Sequence, residues 1–156
     1  LKAIEASPKP VILVIKQNIP EEIKKKNGLS GGNMTTAMKT LGCVGCISDG
    51  PSRDIDEIRE MDFQYMLTGV CAGHGNFSVG AVNVPVNICG MDVAPGEIIH
   101  MDENGAVKFP ADKIDQVADL AARLAEVEKK RMADIRACKT AEEIIRVMGG
   151  FESSEE

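Results

Sequence analysis

The chain has 156 residues and a mass of 16.7 kDa, the usual length of one domain. Hydrophobic residues make up 44% and charged residues 27%, which is typical of a folded globular protein and excludes a disordered or fibrous chain. The net charge is -6 and aromatic residues are only 3%. Nucleic-acid binding usually needs a basic surface and stacking side chains, so we expect no nucleic-acid partner.

The sequence contains no apolar run near the ~20 residues needed to cross a membrane, and its start has no secretory signal pattern. We therefore expect no membrane partner and a cytoplasmic location. The cysteines number five, and an odd number in a chain of this size predicts free thiols in a reducing compartment. Because the chain begins with Leu1 rather than Met, we expect that an N-terminal segment is missing from it.

The first half of the chain predicts parallel strands that alternate with helices. Apolar runs predict buried strands, and a 3.6-residue apolar period predicts helices; the strands are expected at 11–15, 43–48 and 65–71, with a β-rich stretch at 79–88, and the helices at 34–41 and from Asp54 onward. The Lys-rich stretch 21–27 is expected to be a solvated short helix or loop.

The second half changes to an antiparallel pattern and ends in helices. Two short runs, 97–101 and 106–109, flank an Asn-Gly pair, which indicates a hairpin. A long helix is expected from Ala111 to about Arg136, and Thr140 with Glu143 forms a capping box for a last helix. Together these elements predict one α/β layered domain over 1–150, not a regular Rossmann repeat, followed by an acidic tail at 151–156.

The segment from Ser48 to Glu57 offers the richest chemistry, because it directly follows a buried strand, where α/β sheets place their ligands. In one interpretation Asp54 is only a helix N-cap and Glu57 its capping-box partner. In the other, Arg53 holds a carboxylate bidentately and Asp54 is an oxygen ligand for Mg²⁺ or Mn²⁺.

A second segment strengthens the functional interpretation. Gly31, Gly32, Asn33 and Met34 begin a predicted helix, and free N–H groups at a helix N-terminus bind anions. These glycines could equally be turn formers. If the two segments are neighbours, amides from one and the Arg-Asp pair from the other could hold a small 2-oxo acid on a metal.

The cysteines, the histidines and a second glycine pattern give weaker evidence for a functional site. Cys43 and Cys46 are expected to point to opposite faces of their strand, with no second cysteine pair to complete a metal site, so we interpret them as buried thiols. His74 lies in a Gly-rich loop and is either solvated or a base or substrate contact, and His100 is expected to be solvated. The Gly73-x-Gly75 pattern lacks the third glycine of a dinucleotide-binding motif.

The chain resembles the RraA-like family, which includes the regulator of ribonuclease E activity and the class II 4-hydroxy-4-methyl-2-oxoglutarate aldolases that also decarboxylate oxaloacetate. The resemblance covers about 10–136 and is carried by Gly32 and, after twenty intervening residues, Arg53-Asp54-x-x-Glu57. It continues through Val84-Pro85-Val86, Gly90, Val93-x-Pro95-Gly96-Glu97-Ile98-Ile99 and Asp102-x-x-Gly105-Ala106-Val107-x-x-Pro110.

This resemblance implies a swivelling β/β/α three-layer sandwich that assembles as a homotrimer or a dimer of trimers, with active sites at subunit interfaces. By the same resemblance Asp54 binds Mg²⁺ or Mn²⁺, Arg53 contacts the carbonyl end of the 2-oxo acid, and the amides of the 31–34 turn receive the carboxylate. A glutamate on the long C-terminal helix of a neighbouring subunit holds water at the metal; Glu128 is the best match and Glu126 the other candidate.

The family also implies a function, with one departure. The expectation is a metal-dependent lyase that cleaves a 2-oxo acid through a pyruvate enolate, by oxaloacetate decarboxylation or retro-aldol cleavage. Metal-dependent members often have an acidic residue where this chain has Gly32, so decarboxylation is expected more than aldol cleavage. The alternatives are a non-catalytic protein that regulates a ribonuclease, and an inactive relative.

Overall fold

The structure, a computed structural model, describes residues 1–149. These residues belong to two compact units, Leu1–Phe109 and the residues from Pro110 onward. The expectation of a single domain over 1–150 stays a prediction. The expected acidic tail at 151–156 lies outside the described residues.

The first unit contains a parallel sheet, two hairpins and four short helices. Its helices are α1 (Lys2–Ala6), α2 (Glu21–Lys24), α3 (Gly32–Thr40) and α4 (Ile55–Arg59). Its strands are β1 (Val11–Ile15), β2 (Cys43–Ser48), β3 (Gln64–Met66), β4 (Val86–Ile88), β5 (Met91–Val93), β6 (Ile98–Asp102) and β7 (Gly105–Phe109).

The parallel sheet has the order β1-β2-β3, and an irregularity in it changes which side chains share a face. Val11 pairs with Cys43 but Ile12 pairs with Gly45, so Val44 is an extra residue in β2, as in a β-bulge. The bulge places Cys43 and Cys46 in the same buried cluster. The prediction that they point to opposite faces was therefore wrong, whereas the prediction of free, buried thiols is confirmed.

Two hydrophobic clusters bury the sheet and define three layers. On one face, Met38 of α3 and Ile58 of α4 pack with Cys46 against the partly buried Leu13. The other cluster joins Ile47 of β2 to residues of the hairpin strands, namely Ile88, Val93 and Met101. A helix layer, a parallel sheet and a layer of antiparallel strands form the expected β/β/α arrangement.

The second unit consists of a short 3-10 turn at Ala111–Lys113, helix α5 (Ile114–Ala137) and helix α6 (Ala141–Gly149). The predicted capping box at α6 is confirmed, because the Thr140 N–H donates to a Glu143 carboxylate oxygen at 3.1 Å and the Glu143 N–H donates to Thr140 Oγ1 at 3.2 Å. None of the helices in the described part of the chain has the length and apolarity needed to cross a membrane.

Two strand predictions were too long. The expected strand at 65–71 ends at Met66, and only Val70 returns to pair as an isolated bridge with Ser52. In the expected β-rich stretch, only Val86–Ile88 is a strand. Asn83 has a positive φ of 54° and Pro85 has no N–H to donate, and both features interrupt a ladder.

Candidate active site

Two loops that lie far apart in sequence run side by side at the ends of β1 and β2. The Leu29 N–H donates to Pro51 O at 3.1 Å, and the Arg53 N–H donates to Ser30 O at 3.3 Å. The buried Ser52 hydroxyl also donates to Ser30 O. The structure therefore brings the 31–34 turn next to Arg53 and Asp54, as the functional interpretation of the sequence required.

The two loops leave no room for a side chain at Gly31. A Cβ at this position would lie 2.3 Å from Asp54 Oδ2 and 2.9 Å from Arg53 Nε, both much shorter than a van der Waals contact. Gly31 has an extended backbone with φ of -131°, which any residue can adopt. A side chain at position 31 would therefore displace the Asp54 carboxylate and the Arg53 guanidinium.

Asp54 stands at the N-cap position of α4, but its side chain does not cap that helix. Its backbone is left-handed, with φ 58° and ψ 40°, a conformation that few non-glycine residues adopt apart from Asp and Asn. The carboxylate reaches the other loop instead, where Oδ2 accepts the Gly32 N–H at 2.9 Å. The capping-box interpretation of Asp54 and Glu57 was therefore wrong.

Arg53 is held from both sides. Its Nη1 donates to Gly28 O at 3.2 Å, and its Nε lies 3.7 Å from Asp54 Oδ2. The side chain remains 31% exposed, and a guanidinium has five N–H donors. Donors are therefore left over for a ligand carboxylate or carbonyl oxygen.

The N-terminus of α3 supplies the amides. The first N–H groups of a helix have no acceptor within the helix. In α3 the first backbone hydrogen bond of the helical pattern runs from the Thr35 N–H to Gly31 O, at 3.0 Å. Asp54 uses the Gly32 N–H, and among the described residues no acceptor is recorded for the N–H groups of Gly31, Asn33 and Met34. The Gly32 amide holds an aspartate of this chain, a role that sequence reasoning did not foresee.

The donors at this site fit a hard divalent cation only as a partial ligand set. The hydrogen bond that Asp54 accepts from a described residue goes to Oδ2, and the side chain is 41% exposed. Its Oδ1 atom is therefore left for a cation. No group of three His, Cys, Asp or Glu residues that could enclose a metal occurs within 1–149. Mg²⁺ commonly binds through one or two carboxylates together with water and substrate oxygens, and Asp54 suits that mode.

A buried charge cluster at the start of the 49–54 loop was missed by sequence reasoning. Asp49 accepts the Gln17 N–H at 2.8 Å and salt bridges from Lys24 at 2.9 Å and Lys16 at 3.0 Å. Burial tends to raise the pKa of Asp49, but these hydrogen bonds outweigh it and lower the pKa below its ordinary value of 3.8. Asp49 is thus engaged in holding the loop that leads to Arg53 and Asp54.

The same cluster connects to the Gly-rich loop that carries His74. Asn27 donates from Nδ2 to Gln17 Oε1 at 3.1 Å and accepts the Gly75 N–H. The Gly28 N–H donates to Gly73 O at 2.9 Å. The two neighbours of His74 are therefore anchored to the loop that accepts the Arg53 guanidinium, while His74 itself is exposed.

The remaining candidates belong to other elements of the chain. Glu128 and Glu126 are exposed residues of α5 in the second unit, so the two glutamates that the resemblance implied stay predictions. His100 is exposed on β6, with Nε2 3.8 Å from Asp102 Oδ2. Burial raises the pKa of Cys46 to about 12, so this thiol is unsuited to nucleophilic or redox chemistry.

Comparisons with known proteins agree with this architecture. The model of the RraA-like family (Aldolase/RraA) matches residues 1–108. An uncharacterised protein of Methanocaldococcus jannaschii is 32% identical over 110 residues, which are 70% of this chain and 53% of that protein. A 4-hydroxy-4-methyl-2-oxoglutarate aldolase of Thermus thermophilus is 29% identical over 86 residues, covering 54% of this chain and 52% of that enzyme.

Solved structures share the fold. An uncharacterised protein from Pseudomonas syringae has a TM-score of 0.74 at 23% identity, over 90% of this chain and 70% of that one. RraAS2 of Streptomyces coelicolor, described as an unusual member of the RNase ES inhibitor RraA protein family, has a TM-score of 0.66 at 26% identity, over 81% of this chain and 63% of that one. The chain spans about half the length of the Methanocaldococcus protein and of the Thermus aldolase.

Proposed function

Because the chain belongs to the RraA-like family, we propose that it is a divalent-metal-dependent lyase that breaks a carbon-carbon bond of a 2-oxo acid through a pyruvate enolate. The observation that carries this proposal is the placement of the Asp54 carboxylate between the Arg53 guanidinium, 3.7 Å away, and the amide end of α3, 2.9 Å away. A relative with 29% identity bears the name of an aldolase of this kind, which supports the same class of reaction.

Each side chain and backbone amide of the site has a distinct role in this proposal. Asp54 offers its free oxygen to Mg²⁺ or Mn²⁺, as hard cations prefer oxygen ligands. Arg53 donates to the carbonyl end of the substrate and stabilises the negative charge that develops there. The Asn33 and Met34 amides receive the substrate carboxylate, since a helix N-terminus favours anions. Gly31 keeps these groups close, because any side chain there would displace Asp54 and Arg53.

The bound cation would supply an electron sink at the C2 carbonyl of the substrate. Decarboxylation of oxaloacetate needs little more than this, because the C3–C4 bond electrons pass into the enolate as carbon dioxide leaves. Retro-aldol cleavage also requires a base that takes the proton of the C4 hydroxyl. Gly32 has no side chain to do so, and oxaloacetate decarboxylation is therefore the activity that we expect to be the stronger.

The proposal includes an assembly. As in the family resemblance, the active protein would be a homotrimer or a dimer of trimers, with Glu128, or Glu126 as the other candidate, reaching the site of a neighbouring subunit. A glutamate from a second chain would complement a site to which the described residues of this chain contribute one metal-binding carboxylate.

The test measures pyruvate release from oxaloacetate and from 4-hydroxy-4-methyl-2-oxoglutarate, with Mg²⁺, with Mn²⁺ and with a chelator. The release by metal without protein is subtracted, because metal ions decarboxylate oxaloacetate slowly by themselves. We expect metal-dependent release by the wild type and little by Asp54→Asn, a variant that suits the left-handed backbone of this position. Metal-dependent pyruvate release by Asp54→Asn at the wild-type rate would reject the proposal.

The second candidate function is regulation of a ribonuclease. It is favoured by the 26% identity with a Streptomyces protein described as a member of an RNase inhibitor family. The matching experiment adds the protein to an RNase E-type ribonuclease and follows RNA cleavage. Inhibition that survives Arg53→Ala and Asp54→Asn, in a protein that releases no pyruvate, would support this function over the lyase.

A further inference from the structure

A group of buried hydroxyls lies between the two loops that form the site. Ser30, Thr35 and Ser52 are 2%, 0% and 0% exposed, and we call these residues the hydroxyl cluster. Ser30 and Thr35 belong to the segment that carries the α3 amides, whereas Ser52 directly precedes Arg53. The cluster therefore joins the two halves of the site inside the protein, where its members do not meet the solvent.

Ser52 fixes the Arg53 end of the site to the other loop. Its hydroxyl donates to Ser30 O, and the Arg53 N–H donates to the same oxygen at 3.3 Å. The backbone of Ser52 is also held by the 69–71 segment, because its N–H donates to Gly69 O at 3.1 Å and its O accepts the Cys71 N–H at 2.9 Å. The position of Arg53 relative to the amide loop is thus set in part by the Ser52 hydroxyl.

Thr35 fixes the peptide group between Gly31 and Gly32. Its Oγ1 donates to Gly31 O at 3.0 Å, and at the other end of this peptide group the Gly32 N–H donates to Asp54 Oδ2 at 2.9 Å. A hydroxyl has only one proton to donate, so Ser30 is the donor in the 3.3 Å contact between Ser30 Oγ and Thr35 Oγ1. Thr35 therefore orients the peptide group that holds the Asp54 carboxylate, and Ser30 connects it to the rest of the cluster.

We propose that Thr35 and Ser52 are positioning residues of this site: their hydroxyls set the spacing between the α3 amides and the Arg53–Asp54 pair, so that one 2-oxo acid engages both. The inference rests on the proposed function and adds to it two residues that do not touch the substrate. A 2-oxo acid must meet the cation, Arg53 and the amides at once, and small misplacements are costly in such a site. A cation held by Asp54 and water alone adjusts more easily, because its water ligands can move with it.

The experiment uses Thr35→Val and Ser52→Ala, which remove the hydroxyls with little change in volume. Mn²⁺ binding is measured by electron paramagnetic resonance with and without oxalate, which resembles the enolate of pyruvate. Mn²⁺ affinity without oxalate should stay near wild type in both variants. The strengthening of Mn²⁺ binding by oxalate should fall about three- to tenfold, which corresponds to one net hydrogen bond, and kcat/KM for pyruvate release should fall to the same extent.

Thr40→Val is the matched control in the same helix. Thr40 Oγ1 donates to Thr36 O, four residues earlier, at 2.9 Å, just as Thr35 Oγ1 donates to Gly31 O, but Thr40 is exposed. Thr40→Val should therefore leave the oxalate effect unchanged. Thr35→Ser keeps the hydroxyl and should also preserve it. A loss in Thr35→Ser as large as in Thr35→Val would assign the effect to the methyl group and overturn the inference.

The double variant tests whether the hydroxyls act as one cluster. Because both act through Ser30, the combined loss in Thr35→Val/Ser52→Ala should be smaller than the product of the two single fold-changes, as is expected for residues that share a partner. A loss equal to that product would mean that the two hydroxyls act independently, and it would overturn their common role.

The outcomes separate this inference from the proposed function. If the wild type releases pyruvate and both single variants keep the full oxalate effect, the inference is overturned and the lyase proposal stands. Equal losses of Mn²⁺ binding with and without oxalate would show a general structural defect and would also overturn it. If circular dichroism shows that one variant does not fold, the other carries the test. If the wild type shows neither metal-dependent pyruvate release nor an oxalate effect, the proposed function fails and the positioning role fails with it.

Discussion

Gly31 and Gly32 are adjacent, yet the structure gives them different constraints. A Cβ at Gly31 would lie 2.3 Å from Asp54 Oδ2, whereas the nearest atoms to a Cβ at Gly32 would be 3.8 Å away. A side chain in place of the first glycine would displace the Asp54 carboxylate and the Arg53 guanidinium. The second leaves an open position where a side chain would fit.

This difference predicts that the same substitution has a large effect at Gly31 and a small one at Gly32. Gly31→Ala should displace Asp54 and Arg53 and lower kcat/KM for pyruvate release by about 10²-fold, the usual cost of misplacing catalytic groups by an ångström. Gly32→Ala should stay within a few-fold of wild type. Steady-state kinetics on the two variants, with circular dichroism to check folding, makes the comparison. A Gly31→Ala enzyme as active as Gly32→Ala would contradict the geometry.

At the scale of single residues, the sequence patterns identified which residues come together but not which contacts their side chains make. The Arg53-Asp54 pair and the 31–34 turn were both named from local patterns. The direction of the Asp54 carboxylate could not be read, because the Asp-x-x-Glu pattern predicts a local cap. The group that competes with that cap, the Gly32 N–H, lies 22 residues away in the chain.

At the scale of elements, the Lys24–Asp49 pair fixes the loop that leads from β2 to the site. Both side chains are buried, at 7% and 6% exposed, and the pair joins α2 to the end of β2. Hydrogen bonds to Glu21 and Asp49 raise the pKa of Lys24. The Lys-rich stretch was expected to be solvated, and for Lys24 this expectation was wrong. Its side chain is buried against Asp49, which follows 25 residues later in the chain and so leaves no local signal.

The pair predicts a pH-dependent stability. The pKa of Asp49 is lower in the folded protein than its ordinary value of 3.8, so its contribution is present above about pH 3.8 and is lost as the pH falls through the folded pKa. Removing one partner of a buried pair typically costs ~3–5 kcal/mol. Asp49→Asn should cost less, on the order of 2 kcal/mol, because Lys24 keeps Glu21 and Lys16 is partly exposed.

Urea unfolding of wild type and Asp49→Asn at neutral and acid pH measures this contribution. The difference in free energy of unfolding should be largest near pH 7 and should narrow below pH 3.8. Asp56→Asn is the control, as its exposed pair with Arg59 should contribute about 0–1 kcal/mol. A difference that is independent of pH would mean that Asp49 acts by packing and not by charge.

At the scale of the whole molecule, the alternation of helices and strands and the later hairpins allowed the layers to be predicted. The bulge at Val44 could not be, since it depends on the register with β1 and not on any local signal. The resemblance to the family supplied what the patterns lacked, the name of the fold and the expected assembly. Subunit contacts leave no periodic trace in a single sequence.

The proposed assembly yields a prediction of its own. Sedimentation velocity should show a trimer or a hexamer, and variants at Glu128, such as Glu128→Gln, should lower activity without changing the oligomeric state. If a neighbouring subunit supplies this glutamate, mixing Glu128→Gln with Asp54→Asn subunits should regain activity through sites that combine intact halves. A fully active monomer would contradict an interface site.

The most direct measurement is the binding of Mn²⁺ to the protein, followed by the electron paramagnetic resonance signal of the free ion, with oxalate as an enolate mimic. The account predicts that wild-type protein removes the free Mn²⁺ signal, that oxalate strengthens binding, and that Asp54→Asn abolishes both effects while remaining folded. Undiminished Mn²⁺ and oxalate binding by Asp54→Asn, or none by the wild type, would contradict a metal site between Arg53 and the amide end of α3.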